Sequence, residues 1–193
     1  EGQEEFVAWT KEAPELSNPA LLAQCQKKKN PCMEQALLWS IHVNLAVKEP
    51  GMEQGVFYGV REALEKMSPK ADLAVVSSAN AQAVEEEWSK YELKPYCKAL
   101  LSQEAGNKAE CIQKLSALGY PPEQILMVGD AMGDYEAAKK NGVWFYPIVV
   151  NNEKESWQQL QEEAYPKLLH GTFDRGYQKE LLDKFERGFQ KTL

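Results

Sequence analysis

The chain has 193 residues, room for one ordinary domain or one domain with a small helical attachment. Hydrophobic residues make up 44% and charged residues 26%, a balance that excludes a disordered tail, a collagen-like fibre and a disulfide-stapled miniprotein. Acidic residues outnumber basic ones 29 to 22, for a net charge of −7, which argues against sequence-independent binding of DNA or RNA because that needs a surplus of Lys and Arg facing phosphates.

The short basic run Lys27-Lys28-Lys29 reads as a solvated helical face. No apolar stretch approaches the roughly 20 residues that cross a bilayer, and no signal peptide is recognisable. The expectation is a cytoplasmic protein with no membrane partner. The start at Glu1 rather than Met leaves open what precedes it. Cys25, Cys32, Cys97 and Cys111 are widely spaced, with no CxxC and only His42 and His170 to accompany them, so free thiols are expected rather than a zinc site.

In chain order, residues 1 to about 50 read as helical. Ser17-Asn18-Pro19 and Asn30-Pro31 each place a capping residue before a proline at the first helical position. Met33, Leu37, Leu38, Ile41 and Leu45 then recur at helical spacing, predicting a helix that buries one side, with His42 packed in the core beside them. Gly55 to Met67 reads as helix and Asp72 to Val76 as a buried strand. Asn80 to Tyr91 follows as helix and Cys97 to Leu101 as a short strand. Lys108 to Leu118 is helical, closed by Gly119 and Pro121-Pro122. Ile125 to Val128 reads as a second buried strand, Asp134 to Lys140 as helix, and Val143 to Tyr146 as a third buried strand. Short all-apolar strands separated by helices predict an α/β fold: a parallel sheet covered on both faces, with ligands at the carboxyl ends of its strands. Residues 151–193 return to helix, with Trp157, Leu160, Leu168 and Leu169 as one apolar set and Tyr177, Leu181, Leu182, Phe185 and Phe189 as another. These aromatic-rich helices pack either on the domain or on a second copy.

The sharpest local signal is Ile125-Leu126-Met127-Val128-Gly129-Asp130-Ala131-Met132-Gly133-Asp134. A strand ends at Gly129, and Asp130 and Asp134 follow in the turn that opens the next helix. Two hard oxygen ligands at a sheet edge suit Mg²⁺, which keeps several waters and shares a substrate phosphate; capping the helix is the other role open to both. Leu73 to Val76 runs straight into Ser77-Ser78, hydroxyls placed to hold a phosphoryl oxygen. Lys108 follows Gly106-Asn107 at a helix start and offers a positive charge to the same cleft. Phosphoryl transfer needs this combination of metal, cation and hydroxyl donors.

These segments resemble the motifs of the haloacid dehalogenase superfamily, whose members are mostly Mg²⁺-dependent phosphohydrolases. Ala71 to Ser78 (ADLAVVSS) is similar to the second motif, with Ser77 the phosphate-binding hydroxyl and Ser78 its neighbour. Gly106-Asn107-Lys108 is similar to the third, which puts Asn107 beside the substrate and makes Lys108 catalytic. VGDAMGD followed by AAKKNGVWFYPI is similar to the fourth, with Asp130 and Asp134 holding the metal. The resemblance implies a three-layer Rossmann-like core over about residues 51–150, a helical cap over 1–50 and a helical extension over 151–193. The tail from Ser156 to Phe189 is similar to that of a bacterial branch of the family. It further implies Mg²⁺ as cofactor and a small phosphorylated metabolite as substrate. Dehalogenation attacks carbon without a metal, so the two carboxylates count against that chemistry.

One departure stands out. The family's first motif, DxDx[TV], supplies an attacking Asp that forms an aspartyl-phosphate, and its strand lies mid-sheet between those of the second and fourth motifs. The five Asp here are Asp72, Asp130, Asp134, Asp174 and Asp183, and none precedes Asp72. Three readings accommodate this. The attacking Asp lies upstream of Glu1; or Phe6-Val7-Ala8-Trp9 is that strand in degenerate form, with Thr10 and Glu12 in place of the acids; or the chain is a catalytically inactive module that binds phosphate or protein. Without the attacking Asp, this chain alone is expected to show no turnover.

Overall fold

The computed structural model describes residues 2–13, 18–46 and 55–190, the side chains of 189 and 190 excepted. It divides into two compact units, one ending at Gly55 and the other beginning at Val56.

The first unit contains α1 (Gln3–Glu12), α2 (Asn18–Lys27) and α3 (Pro31–Ala46). Of the first cap signal, Asn18 opens α2 and Ser17 lies outside the described residues. The second signal works as sequence predicts. Asn30, 2% exposed, accepts from the Cys32 and Met33 amides at 3.0 and 3.2 Å, and its own amide donates to Gly2 O and to the Glu5 carboxylate. One buried side chain thus caps α3 and ties α1 to it.

Two expectations fail in this unit. Phe6 to Trp9 is the interior of α1 rather than a degenerate strand, with the two rings stacked 6.1 Å apart. In α3, Met33 and Leu37 are buried with Leu21, but Leu38, Ile41, Leu45 and His42 are exposed. The reason is that α3 is apolar around its circumference, Trp39 and Val43 included, while two short helices cover only one flank.

In the second unit, α4 (Val60–Met67) buries Val60, Ala63, Leu64 and Met67, the i, i+3, i+4, i+7 stripe. It starts later than Gly55 because Gly59 has φ +91°, a left-handed turn that the helix cannot run through. Then come β1 (Leu73–Val76), α5 (Ala81–Lys90), β2 (Cys97–Leu101), α6 (Lys108–Ser116), β3 (Leu126–Gly129), α7 (Met132–Asn141) and β4 (Trp144–Pro147). A long helix follows as α8 (Glu153–Gln159), a π-helical turn (Leu160–Ala164) and α9 (Tyr165–Leu169), and α10 (Arg175–Gln190) closes the described chain. Leu160, Ala164, Tyr165, Phe173, Tyr177 and Leu181 join α4 in one buried cluster, so these helices complete the core rather than extend it. Among the described residues no helix is long and apolar enough to cross a membrane.

The strands are parallel, as predicted, but they form two pairs. β1 pairs with β2 from Leu73↔Cys97 to Val76↔Leu101, and β3 pairs with β4 from Leu126↔Trp144 to Gly129↔Pro147. The same layers of helix cover both. Leu73 of β1 and Leu126 and Val128 of β3 pack against the α4 cluster, as do Trp88 of α5 and Tyr91 just after it. On the opposite face α6 lies against both β1 and α7, and α7 covers β3 and β4. Among the described residues no strand pairing joins β1–β2 to β3–β4. The outer edge of β4 is covered by α10, where Gln178 accepts from the Phe145 amide at 2.9 Å.

This corrects the expectation that every strand is buried. Phe145 and Tyr146 of β4 are 0% and 1% exposed, yet β3 is half-buried throughout, and in β1 Ala74 is exposed and its neighbours half-buried. A parallel strand reaches full burial only when both edges and both faces are covered.

Candidate active site

The chain leaves β1 toward β2 over one face and β3 toward β4 over the other. Ligands in open α/β sheets bind where the connections diverge, at the carboxyl ends of such strands. All six sequence-predicted site residues lie in the loops and helix starts after β1, β2 and β3.

Gly129 ends β3 without a side chain for a steric reason. A Cβ there would overlap the carboxylate of Asp134, which folds back against the strand end. Asp134 is 2% exposed. Its Oδ2 accepts from the Ala131 amide at 3.1 Å, capping α7, and its Oδ1 accepts from Lys108 Nζ. Of the two roles foreseen for an acid in this turn, Asp134 takes the capping one, and its other oxygen pairs with the Lys108 ammonium. Lys108 opens α6, and its side chain is 28% exposed. The pair joins the loop after β2 to the loop after β3. Asp130, four residues before Asp134, is exposed beside it.

Asn107 caps α6. Its Oδ1 accepts from the Glu110 amide at 3.0 Å, and Glu110 returns the bond to the Asn107 amide. That fixes where Lys108 starts and leaves the Asn107 side-chain NH₂ as its remaining donor. Ser77, at the end of β1, donates its amide to Leu101 O at 2.8 Å and accepts on Oγ from the Ala79 amide at 3.1 Å. Ser78 is exposed.

Glu104 was not foreseen. It accepts from the Ala81 amide at 3.0 and 3.2 Å and from Ser102 Oγ at 2.6 Å, and the Ser102 hydroxyl, with backbone donors, holds its carboxyl below the usual range. With the Gln103 amide on Ala79 O, it clamps the Ser77–Asn80 loop to the end of β2. No spacing marks such a residue; only folding brings the two loops together.

Among the described residues no group of three or more His, Cys, Asp or Glu forms a metal cage. The donor set is nonetheless one that suits Mg²⁺, hard carboxylate oxygens without sulfur or imidazole. Asp130 is the exposed carboxylate of the two, while Asp134 is engaged by Lys108 and the Ala131 amide.

A family model described as haloacid dehalogenase-like hydrolase matches residues 16–148, well over half the chain. The chain belongs to that family. Neither the curated proteins nor the solved structures yield a match. The haloacid dehalogenase-like hydrolase match spans all the strands of the sheet and every residue of the site, and its fold is the parallel α/β arrangement found here.

Proposed function

We propose that the full gene product is a Mg²⁺-dependent phosphohydrolase acting on a small phosphorylated metabolite, with its attacking Asp on a strand upstream of Glu1. The observation that carries this reading is the Lys108–Asp134 pair, a buried carboxylate and a half-buried ammonium at the diverging strand ends of a hydrolase fold. Bound by Asp130, with Asp134 behind it, Mg²⁺ would neutralise phosphoryl oxygens. Lys108 steadies the attacking carboxylate and the charge on the transferring oxygens. Ser77 donates its hydroxyl to the phosphoryl group, with Ser78 and the Asn107 amide alongside. The clamp through Glu104 keeps the Ser77 loop from following the ligand.

The test is hydrolysis of para-nitrophenyl phosphate by the gene product with its natural upstream residues. Turnover that needs Mg²⁺, is abolished by EDTA and falls at least 100-fold in Lys108→Met is expected. Turnover indifferent to both would overturn the reading. A second reading, a catalytically inactive module that binds phosphate or protein, draws on the full engagement of Asp134 by Lys108 and Ala131. Phosphate binding with no hydrolysis of any monoester would establish it.

A further inference from the structure

The last two turns of α3 have no cover among the described residues. Met33 and Leu37, in its first half, pack with Leu21 against Phe6 and Trp9, but Ile41 to Ala46 is exposed at every position. A helix standing in water is ordinarily studded with charge. Here Gln35 to Ala46 holds no Asp, Glu, Lys or Arg in twelve residues, where a chain with 26% charged residues would place about three. Leu38, Ile41, His42 and Leu45 form one stripe along it, at i, i+3, i+4 and i+7.

We infer that this stripe is the contact face of a homodimer, in which α3 packs antiparallel on the α3 of a second copy. The spacing of the stripe reads the same in both directions. A two-fold axis between Ile41 and His42 therefore sets Leu38 of each copy on Leu45 of the other, an isologous contact. Charge also selects a second copy over a foreign partner. Foreign partners are steered and registered by complementary charge, and the stripe offers none. Two copies that each carry −7 repel where their charges meet, and an uncharged stripe is where they can approach. At 57%, 68%, 39% and 60% exposure, Leu38, Trp39, Ile41 and Leu45 offer, with His42, about 500 Å². The contact doubles that to about 1,000 Å², the size at which specific but weak association begins. This inference rests on α3 alone and stands whether or not the protein is a phosphohydrolase.

The test is analytical ultracentrifugation of the full chain from 5 µM to about 1 mM, the weak end of measurable affinity. A monomer–dimer equilibrium is expected, with a dissociation constant of about 10 to 200 µM. Leu38→Gln with Leu45→Gln should weaken it at least tenfold and leave the far-ultraviolet circular dichroism unchanged. Val7→Gln, at an exposed apolar residue of α1, should leave it as it was. A single change tests the same face without adding polarity to two positions. Under mild oxidation Ile41→Cys should give a disulfide-linked dimer that neither the unchanged protein nor Val7→Cys gives. A monomer throughout, a dimer indifferent to the Leu38 and Leu45 changes, or equal cross-linking of Ile41→Cys and Val7→Cys would overturn the inference. Hydrogen exchange at Leu38–Leu45 should slow as the concentration rises. Slow exchange at every concentration in a monomer would assign the cover to the chain itself, and would also overturn it.

Discussion

The ammonium of Lys66 donates at 2.9 Å to the main-chain carbonyl of Gln161, a carbonyl whose helical partner five residues on is Pro166. In the π-helical turn each carbonyl looks five residues ahead for an N–H, as Leu160 does to Tyr165, and proline has none to offer. Lys66 reaches across from α4 to fill that place. Gln161 answers through its side chain to Gly59 O, and Tyr165 Oη donates to Met67 O at 3.2 Å. Both ends of α4 are thereby fastened to the same irregular turn.

Lys66→Met should cost about 1 kcal/mol by leaving that carbonyl unpaired. Adding Pro166→Ala returns an N–H to the helix, so the same Lys66→Met change in that background should cost less than about half as much. Urea unfolding of the four proteins gives the coupling directly. Equal losses in both backgrounds would refute the account of the turn.

Gly129→Ala should be far more harmful than an alanine at a strand end usually is. The new methyl overlaps the Asp134 carboxylate, which cannot swing away without giving up Ala131 and Lys108. A destabilisation of about 2 kcal/mol is expected, and in the active gene product a fall in kcat with it. Gly133→Ala, a helix position where an added Cβ meets nothing within 4 Å, serves as the comparison and should be neutral or slightly stabilising.

Lys108→Met strands the Asp134 carboxylate at 2% exposure. The loss should be about 3 kcal/mol, and Lys108→Met with Asp134→Asn should recover most of it. Recovery of stability without recovery of turnover would separate the structural work of the pair from its chemical work. Thermal unfolding and steady-state assays of the protein and the two variants make the comparison.

Burial pushes the Cys97 thiol up to about 11 from an ordinary 9.0. The folded chain keeps a proton that the unfolded chain releases, so the stabilisation is whole below pH 9 and is lost as the pH climbs toward 11. Because Cys97 is only half-buried, the loss should be about 1 kcal/mol. Urea midpoints of the protein and of Cys97→Ala should converge or cross between pH 8 and pH 10.5, and a constant gap would refute it.

The strands and the helices after them could be read from Leu73 onward because all-apolar runs of four or five residues, bounded by Asn, Gly and Pro, leave little else for the chain to do. The N-cap at Asn30 was equally legible, being decided within four residues. The strand–helix pattern put Ser77, Lys108 and Asp134 at successive strand ends, and the structure places all three there. Exposure was not legible. His42 and Leu38 lie on a helix apolar all round, and periodicity cannot say which flank neighbours will cover. The half-burial of β1 and β3 depends on what lies beside a strand, information that its own residues do not contain. Glu104 was missed for the same reason.

In most doubly wound domains the middle of the sheet is the last part to open. The two parallel pairs of this unit are unequally buried: β4 sits sealed by α10, with Phe145 and Tyr146 close to zero exposure, while β1 is half-exposed. Partial unfolding should therefore begin in the less buried pair. The β3–α7–β4 half, with the Phe145–Phe185 contact behind it, would hold as one cooperative block while β1–α5–β2 melts first. Since Lys108 and Asp134 come from opposite sides of that division, the bond between them fastens two blocks of unequal endurance.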